Sequence, residues 1–509
     1  MSSPKIVRGR WVIPGADAAV LTGGAVLIAD GNVVALDEWG TLQARYPDAE
    51  VIGSDSMAVL PGLINAHHHS KGVSTIQQGI VDMLLEPWIL SHRRARQGDP
   101  RLEALLSAAE QLRSGVTSVV NVLNAGGDAD AFESTVRNTM SGYDESGMRA
   151  VTAAGFTTQS FLVSGAGEDE RFIASLPEAV RPYASMMLPD DSRITEDEYF
   201  QVMESIWRQY NDHPRIGLWF GPPGPQWVSD AFMSRIAEHA ESWDTGIQTH
   251  VDESIYEMIH GPRFYGQHTM LHLNDLGVLS PRFSIAHGVW LTQEEIAVMA
   301  QTGASVSHNP SSNLRLRAGI APLNGLLEAG VNVALGMDGT TLNEDEDMFA
   351  EMRLAMRLHG TPILGESAPD ADDVFSMATT GGAKLMRQEG RLGRIASGYA
   401  ADLVLVNLER VTWPWVAPEA DPKDIVLFRA RAGDVDTVLV DGEVVLRGGM
   451  PTRFDLRDTG RALAECLSAA SYPEANAEMV AQLLPHLEAW YKKWHVPDLK
   501  PWIQYNSRQ

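Results

Sequence analysis

The chain has 509 residues, of which 44% are hydrophobic and 21% are charged, as in a globular protein that forms a large barrel with attachments or several domains. Its formal net charge of −26 argues against nucleic acids and anionic membrane surfaces as partners, because both would repel it. The single cysteine, Cys466, excludes an intrachain disulfide framework and zinc sites built on several cysteines, and no apolar run is long enough to span a bilayer.

The N-terminus lacks the basic start and apolar stretch of a secretory signal, so we expect a cytoplasmic protein.

The two ends of the chain carry similar short strand patterns. Near the start, strands are predicted over residues 5–13, 25–29 and 32–36. Near the other end, strands are predicted over residues 401–406 and 437–445. We expect the two ends to pair into one β-sandwich that flanks the segment between them.

In that middle segment, helical stretches alternate with short apolar segments. A helix is predicted over residues 102–113, and Thr292 with Glu295 forms a capping box at the start of another. The candidate strands cover residues 59–64, 116–122, 149–155, 215–220, 246–250, 283–286, 304–307 and 331–336. Eight strands alternating with helices predict a (β/α)8 TIM barrel, and an open doubly wound sheet is the alternative.

Polar side chains follow several of these strands at their carboxyl ends. Two of them, His67 and His69, occupy alternate positions, so that on a strand they point to the same side and can bind one metal ion. The others are His250, His287, His308 and Asp338. In a barrel these ends converge on one mouth, whereas outer strands of an open sheet lie too far apart to share an ion. The polar residues therefore favour the barrel.

Three of these positions, together with Glu253, have a clear chemical use. His250 offers a third neutral nitrogen, and Asp338 offers a carboxylate that can serve as fourth ligand and as a base for the proton of a water. Glu253 follows His250 by three residues, in the loop after the strand, and is placed to hold a proton beside a metal-bound water. His287 could hydrogen-bond that water or the substrate.

With these residues the sequence resembles the amidohydrolase superfamily, in the branch that holds cytosine deaminase, adenosine-type deaminases and triazine hydrolases. The resemblance covers nearly the whole chain and includes residues 307–313, 347–355 and 393–403, the last of which resembles the family's return to the sandwich. It implies that Glu253 is a proton shuttle and that His287 assists the nucleophile. The metal ligands that it implies are His67, His69, His250 and Asp338.

The resemblance also bears on the number of metal ions. Binuclear members bridge two ions through a carboxylated lysine at the fourth strand, yet this chain has no lysine between Lys71 and Lys384. We therefore expect one divalent ion per chain. Zn²⁺ is the first expectation because nitrogen and carboxylate ligands suit it, and Fe²⁺, Co²⁺ and Mn²⁺ accept the same ligands.

The loops depart from the pattern of purine-nucleoside deaminases. Those enzymes often carry a histidine after the fourth strand, where this chain has Gly-Pro-Gln-Trp at 224–227, so we do not expect a copy of a purine-nucleoside pocket. Residues at the predicted mouth are candidate substrate contacts, and burial in the core is the competing interpretation for each. The candidates are Gln78, Trp88, Gln159, Trp227, His308 and Asn309.

The predicted function is metal-dependent hydrolysis of a non-peptide carbon–nitrogen bond in a small cyclic or aromatic compound, by deamination with a metal-activated water. An alternative keeps the site but changes the bond to that of an amide, urea, carbamate or chloro-triazine. A third interpretation is a catalytically silent barrel used for binding, against which the complete ligand set argues.

The domain prediction divides the chain into a sandwich, a barrel and a helical extension. The sandwich covers residues 1–58 and 395–455, the barrel 59–394 and the extension 456–509. The aromatic tail of the extension, which includes Trp502, is expected to pack against the barrel or a second subunit. A homodimer or larger homo-oligomer is the usual expectation for such a protein.

Overall fold

The computed structural model describes residues 4–339, 341–361 and 364–494. Two sheets organise this part of the chain. The strands are β1 (Lys5–Val12), β2 (Leu21–Thr22), β3 (Gly24–Ala29), β4 (Asn32–Glu38), β5 (Glu50–Pro61), β6 (Leu63–His68), β7 (Val116–Asn124), β8 (Arg149–Gly155), β9 (Ile216–Phe220), β10 (Ile247–Val251), β11 (Phe283–His287), β12 (Ser305–His308), β13 (Asn332–Leu335), β14 (Leu403–Asn407), β15 (Val435–Val440), β16 (Glu443–Arg447) and β17 (Met450–Pro451).

Helices fill the connections between the strands. The α-helices are α1 (Trp39–Arg45), α2 (Leu85–Ser91), α3 (Pro100–Arg113), α4 (Ala129–Ser146), α5 (Glu168–Ser175), α6 (Arg181–Ser185), α7 (Glu196–Tyr210), α8 (Asp230–Ser242), α9 (Ile255–His260), α10 (Thr269–Asp275), α11 (Gln293–Thr302), α12 (Pro310–Arg315), α13 (Leu323–Glu328), α14 (Met348–Leu358), α15 (Ala371–Ser376), α16 (Gly382–Leu385), α17 (Leu408–Val411), α18 (Pro422–Arg429), α19 (Leu456–Ala469) and α20 (Glu474–Tyr491). Short 3-10 helices cover Ile76–Gln78, His92–Arg94, Pro225–Trp227 and Ala432–Asp434, and π-helical turns cover Gly261–Tyr265 and Met377–Gly381. The capping box predicted at Thr292 is present at the start of α11.

Strands β6 to β13 form an eight-stranded parallel sheet in sequence order. The two end strands meet where the amide N–H of Asp338 donates to the carbonyl of His67 across 3.0 Å, so that the sheet curls into a nearly closed barrel. Strands β8 and β11 are buried along their whole length, as expected when helices cover one face of a parallel sheet and the barrel interior fills the other. The predicted TIM barrel is confirmed.

The other sheet has nine strands from both ends of the chain. Its order is β17-β16-β15-β14-β5-β1-β3-β4, with β2 paired to β1. Strand β5 runs antiparallel to β14 and parallel to β1, so it joins the C-terminal strands to the N-terminal ones. The predicted association of the two ends in one β module is therefore confirmed.

One strand prediction needs correction. Residues 59–64 were expected to be the first barrel strand, but residues 59–61 belong to β5 and pair with β14. The barrel strand begins only at Leu63, after the chain crosses from one sheet to the other at Gly62. A Cβ atom at Gly62 would lie 2.1 Å from Thr117 Oγ1, so the crossing needs glycine. The domain division at residues 58, 394 and 455 stays a prediction, and β5 runs across the first boundary.

The C-terminal extension is helical, as predicted, over α19 and α20. Trp502 lies outside the described residues. Within the described ranges, no helix combines the length and the apolar character needed to cross a membrane.

Candidate metal centre

Three histidines and an aspartate converge at the carboxyl end of the barrel. His67 and His69 come from the end of β6, His250 from β10, and Asp338 from the turn after β13. The Oδ1 atom of Asp338 lies 3.2 Å from His67 Nε2 and 3.0 Å from His69 Nε2. His250 Nε2 lies 3.3 Å from His69 Nε2. Potential ligand atoms thus lie within 4.8 Å of one another in two sets that share His67, one with His69 and Asp338 and one with His250 and His287.

The other ring nitrogen of each histidine is fixed by an oxygen acceptor. His69 Nδ1 lies 2.9 Å from the Val122 carbonyl, and His250 Nδ1 lies 2.7 Å from the Pro223 carbonyl. His67 Nδ1 lies 2.9 Å from Gln248 Oε1. Because Nδ1–H must donate to these oxygens, each Nε2 carries its lone pair toward the centre.

This arrangement fits a tetrahedral metal ion. Ligand atoms about 2.0–2.1 Å from zinc lie roughly 3.3 Å from one another, which matches the observed separations. His67 Nε2 is fully buried and makes no hydrogen bond with the described residues, a costly state for a polar atom that a metal would relieve. Burial lowers the pKa of His69 and His250, which keeps both imidazoles in the neutral form that binds a metal.

Glu253 and His287 stand beside this cluster. His287 Nε2 lies 3.4 Å from Glu253 Oε2 and 3.9 Å from Asp338 Oδ2, while Asn313 Oδ1 holds its Nδ1 at 2.9 Å. Burial lowers the pKa of His287 to about 4. Burial, and after it the negative charge of Glu257, raises the pKa of Glu253 well above its ordinary value. A neutral imidazole and a carboxyl group with a raised pKa thus face the ligand cluster.

The backbone at this end of the barrel is strained. Asp252, His287 and Asp338 adopt left-handed φ angles of 51°, 74° and 59°. A residue other than glycine rarely adopts this conformation, and such strain is concentrated at functional sites. The hydroxyl of Ser312 donates to Asp338 Oδ2 and holds that carboxylate in place after the turn.

Sequence reasoning missed four residues that support the cluster: Gln248, Ser312, Asn313 and Glu257. Gln248 precedes His250 by two positions on β10, so the alternation of a strand could have indicated that both side chains face inward. Glu257 follows Glu253 by four positions, and its Oε2 accepts the backbone N–H of Glu253 at 2.7 Å. Ser312 and Asn313 reach the site only through the turn of α12, which the sequence pattern did not indicate.

Several of the predicted substrate contacts have structural partners. Gln78 Oε1 accepts the backbone N–H of Arg96 at 2.8 Å. Gln159 Nε2 donates to the Val228 carbonyl at 2.8 Å, and its backbone N–H bonds the carbonyl of Trp227. These bonds fix loops at the mouth.

The other three candidates differ in position. His308 Nε2 lies 3.1 Å from His359 Nε2 of the segment after α14, so its imidazole pairs outside the ligand cluster. Asn309 is fully buried and accepts the Ser307 hydroxyl at 3.0 Å, next to His287. Trp88 is half-buried on α2, and its Nε1 is buried with no hydrogen bond to the described residues.

The chain matches known proteins along most of its length. The profile of the Amidohydrolase family matches residues 58–445. The chain belongs to the amidohydrolase family. A profile of an imidazolonepropionase-like composite domain of bacteria matches residues 24–49.

Relatives of this amidohydrolase include named deaminases. It is 34% identical to a 5'-deoxyadenosine deaminase of Methanothermobacter thermautotrophicus over 85% of this chain and 91% of the relative. It is 31% identical to a 5-methylthioadenosine/S-adenosylhomocysteine deaminase of Nitratidesulfovibrio vulgaris over 86% and 90% of the two chains. The amidohydrolase is an enzyme, so the interpretation as a silent barrel is wrong, and the prediction of a metal-dependent hydrolase of carbon–nitrogen bonds is confirmed.

Solved structures give the same architecture. An adenosine deaminase from Xanthomonas campestris with bound zinc has a TM-score of 0.77 and 28% identity, over 92% of this chain and 99% of that one. An atrazine chlorohydrolase from Arthrobacter aurescens with zinc has a TM-score of 0.77 and 24% identity, over 91% and 99%. At that identity the second likeness shows the fold alone.

Proposed function

We propose that the protein removes the exocyclic amino group of an adenosine-type nucleoside by hydrolysis, at one Zn²⁺ ion. The observation that carries the proposal is that His67 shares two sets of potential ligand atoms lying within 4.8 Å of one another, one with His69 and Asp338 and one with His250 and His287. The Glu253 carboxyl group lies beside them, 3.4 Å from His287 Nε2. The named deaminases among the relatives support the substrate class, while the Gly-Pro-Gln-Trp segment at 224–227 indicates a pocket that differs in detail from that of purine-nucleoside deaminases. The zinc-bound adenosine deaminase supports the metal.

In this proposal His67, His69, His250 and Asp338 hold the ion. When bound, the ion would lower the pKa of a water toward neutrality and stabilise negative charge on the oxygen. The donor set suits zinc, because imidazole nitrogens and a carboxylate oxygen are among its usual ligands, and a water would add as a fifth ligand.

The other residues move protons. The water oxygen adds to the ring carbon that carries the amino group while its proton passes to Asp338, with His287 hydrogen-bonded to the same oxygen. Glu253 donates a proton to the neighbouring ring nitrogen, then takes the hydroxyl proton of the adduct and passes it to the amino group, which leaves as ammonia. The products are the ring carbonyl compound and ammonia, and the water proton held by Asp338 returns to Glu253.

A panel assay tests the reaction class. Adenosine, 5'-deoxyadenosine, 5-methylthioadenosine and S-adenosylhomocysteine are compared with aminopyrimidines and aminotriazines for release of ammonia. Ureas, carbamates and chloro-triazines are assayed in parallel for release of amine or chloride. We expect ammonia from at least one adenosine-type nucleoside. Absence of ammonia from every adenosine-type nucleoside would contradict the proposal, and release of amine or chloride alone would favour the alternative bond.

Two further properties accompany the proposal. A cytoplasmic location and a homodimer or larger homo-oligomer stay predictions from the sequence. Equilibrium sedimentation of the purified protein measures its oligomeric state directly.

A further inference from the structure

The C-terminal helix α20 packs against loops at the same end of the barrel as the histidine cluster. Its buried side chains recur at helical spacing and join one apolar cluster with Leu90 of α2 and with Val163 and Phe172 of the connection after β8. The members from α20 are Met479, Val480, Leu483, Leu487 and Tyr491. Because parallel strands direct their following loops to one end, α20 covers the mouth of the barrel and not its base.

Polar contacts attach the same helix to two loops. The Tyr183 hydroxyl, in the connection after β8, donates to Glu478 at 2.6 Å. Asn476 Nδ2 donates to the carbonyl of Arg93, in the connection after β6, at 3.0 Å. We call α20 together with Trp494 the C-terminal clamp.

Tyr491 is the innermost contact of the C-terminal clamp. Its side chain is buried, its hydroxyl accepts the backbone N–H of Ser164 at 2.9 Å, and the same hydroxyl donates to Ser164 Oγ at 3.1 Å. Burial, and after it the negative charge of Glu86, raises the pKa of Tyr491. The phenol therefore stays neutral and can both accept the backbone N–H of Ser164 and donate to its hydroxyl oxygen.

The ring of Tyr491 also contacts the loop that carries Glu253. Its centroid lies 4.9 Å from the ring centroid of Tyr256, on α9, three residues past Glu253. The Trp494 ring is tilted by 55° against that of Tyr491, with the two centroids 5.1 Å apart, and the guanidinium of Arg263 lies 4.6 Å from the Trp494 ring. The segment that follows β10 is thus held between the barrel and the C-terminal clamp.

A further hydrogen bond joins the loop after β6 to the loop after β10. Ser254, next to Glu253, donates its hydroxyl hydrogen to the buried carboxyl group of Glu86 on α2. The loops after β6, β8 and β10 therefore meet around Glu253, and the C-terminal clamp contacts all three.

We propose that Tyr491 is a positioning residue that, through Ser164 and Tyr256, fixes the wall of the substrate pocket formed by the loops after β6, β8 and β10. This inference rests on the proposed function, since the pocket is that of the same site. Tyr491 acts on substrate affinity through the loops, while the metal ligands and Glu253 sit on the barrel strands and their immediate ends.

The test compares Tyr491→Phe with Gln482→Ala, a substitution on the exposed face of the same helix. Tyr491→Phe keeps the ring and removes both hydrogen bonds to Ser164. For the nucleoside that the panel identifies, we expect KM to rise about five- to tenfold with kcat unchanged, the effect of losing hydrogen bonds of ordinary strength. Metal content should stay at one ion per chain, and Gln482→Ala should match the wild type.

Two further measurements keep the test decisive. Hydrogen exchange should become faster in residues 85–94 and 160–187 of Tyr491→Phe but not in β10, and this readout needs no substrate. Ser164→Ala should raise KM in the same direction, and the double variant should add little to Tyr491→Phe.

The outcomes separate the two proposals. An inactive wild type would reject the proposed function, while the exchange data would still decide the role of Tyr491. Unchanged KM and unchanged exchange in Tyr491→Phe, or a lower melting temperature alone, would overturn the positioning role.

Discussion

Replacement of Gln248 by leucine should weaken metal binding although Gln248 is not a ligand. Its Oε1 holds His67 Nδ1 at 2.9 Å, and its Nε2 donates to the Ala66 carbonyl at 2.9 Å. The side chain is fully buried, so no water replaces it when it is removed. His67 would lose the acceptor that sets its tautomer and the orientation of its ring.

The expected loss is about 10- to 100-fold in metal affinity, or about 1.4–2.7 kcal/mol, the usual effect of removing a partner of a metal-bound histidine. The unfolding free energy of the metal-free protein should also fall by about 1–3 kcal/mol, because the Ala66 carbonyl is left without this donor. Zinc competition against a chromophoric chelator, at a temperature where both proteins are folded, measures the affinity.

A matched control lies on the same strand. The side chain of Thr249 is buried, and its hydroxyl makes no hydrogen bond within the described part of the chain. Thr249→Val should leave zinc affinity unchanged. Equal affinities for Gln248→Leu and the wild type would refute the reasoning that His67 binds the ion through Nε2.

Two further predictions concern stability. Arg149 is buried and donates to Asp402 at 3.3 Å and to Asp441 at 2.6 Å. Arg149→Met should lower the free energy of unfolding, measured in urea, by about 3 kcal/mol, the lower end of the usual range because Asp441 also pairs with Arg215. A change below about 1 kcal/mol would contradict this prediction. Burial raises the pKa of Glu351 to about 8 in the folded protein, so the unfolded chain loses this proton at lower pH and the free energy of unfolding falls as pH rises from about 5 to 8. Glu351→Gln should flatten this decline, and parallel pH profiles of the variant and the wild type would contradict the prediction.

The order of the barrel strands and the position of its histidines followed from sequence because both depend on local patterns. A histidine or aspartate directly after an apolar segment marks the end of a strand, and parallel strands bring such ends together. His67, His69, His250 and Asp338 could therefore be expected at one mouth without any knowledge of packing.

Contacts that depend on three-dimensional packing could not be predicted in this way. The first barrel strand was placed too early because residues 59–61 are as apolar in β5 as they would be in the barrel. The pairing of His308 with His359 was equally hidden, because it depends on how the segment after α14 packs against the strand end. The role of α20 depends on which loops it contacts, and its amphipathic pattern does not indicate which loops these are.

The most direct test of the proposed mechanism is the turnover of Glu253→Gln loaded with zinc. Glutamine keeps the shape of the side chain but cannot transfer the proton, so we expect one ion per chain and a kcat lower by about 10²- to 10⁴-fold. Glu294→Gln, at an exposed position in the first turn of α11, serves as the control and should match the wild type. Retained turnover in zinc-loaded Glu253→Gln would contradict the proton transfer assigned to Glu253.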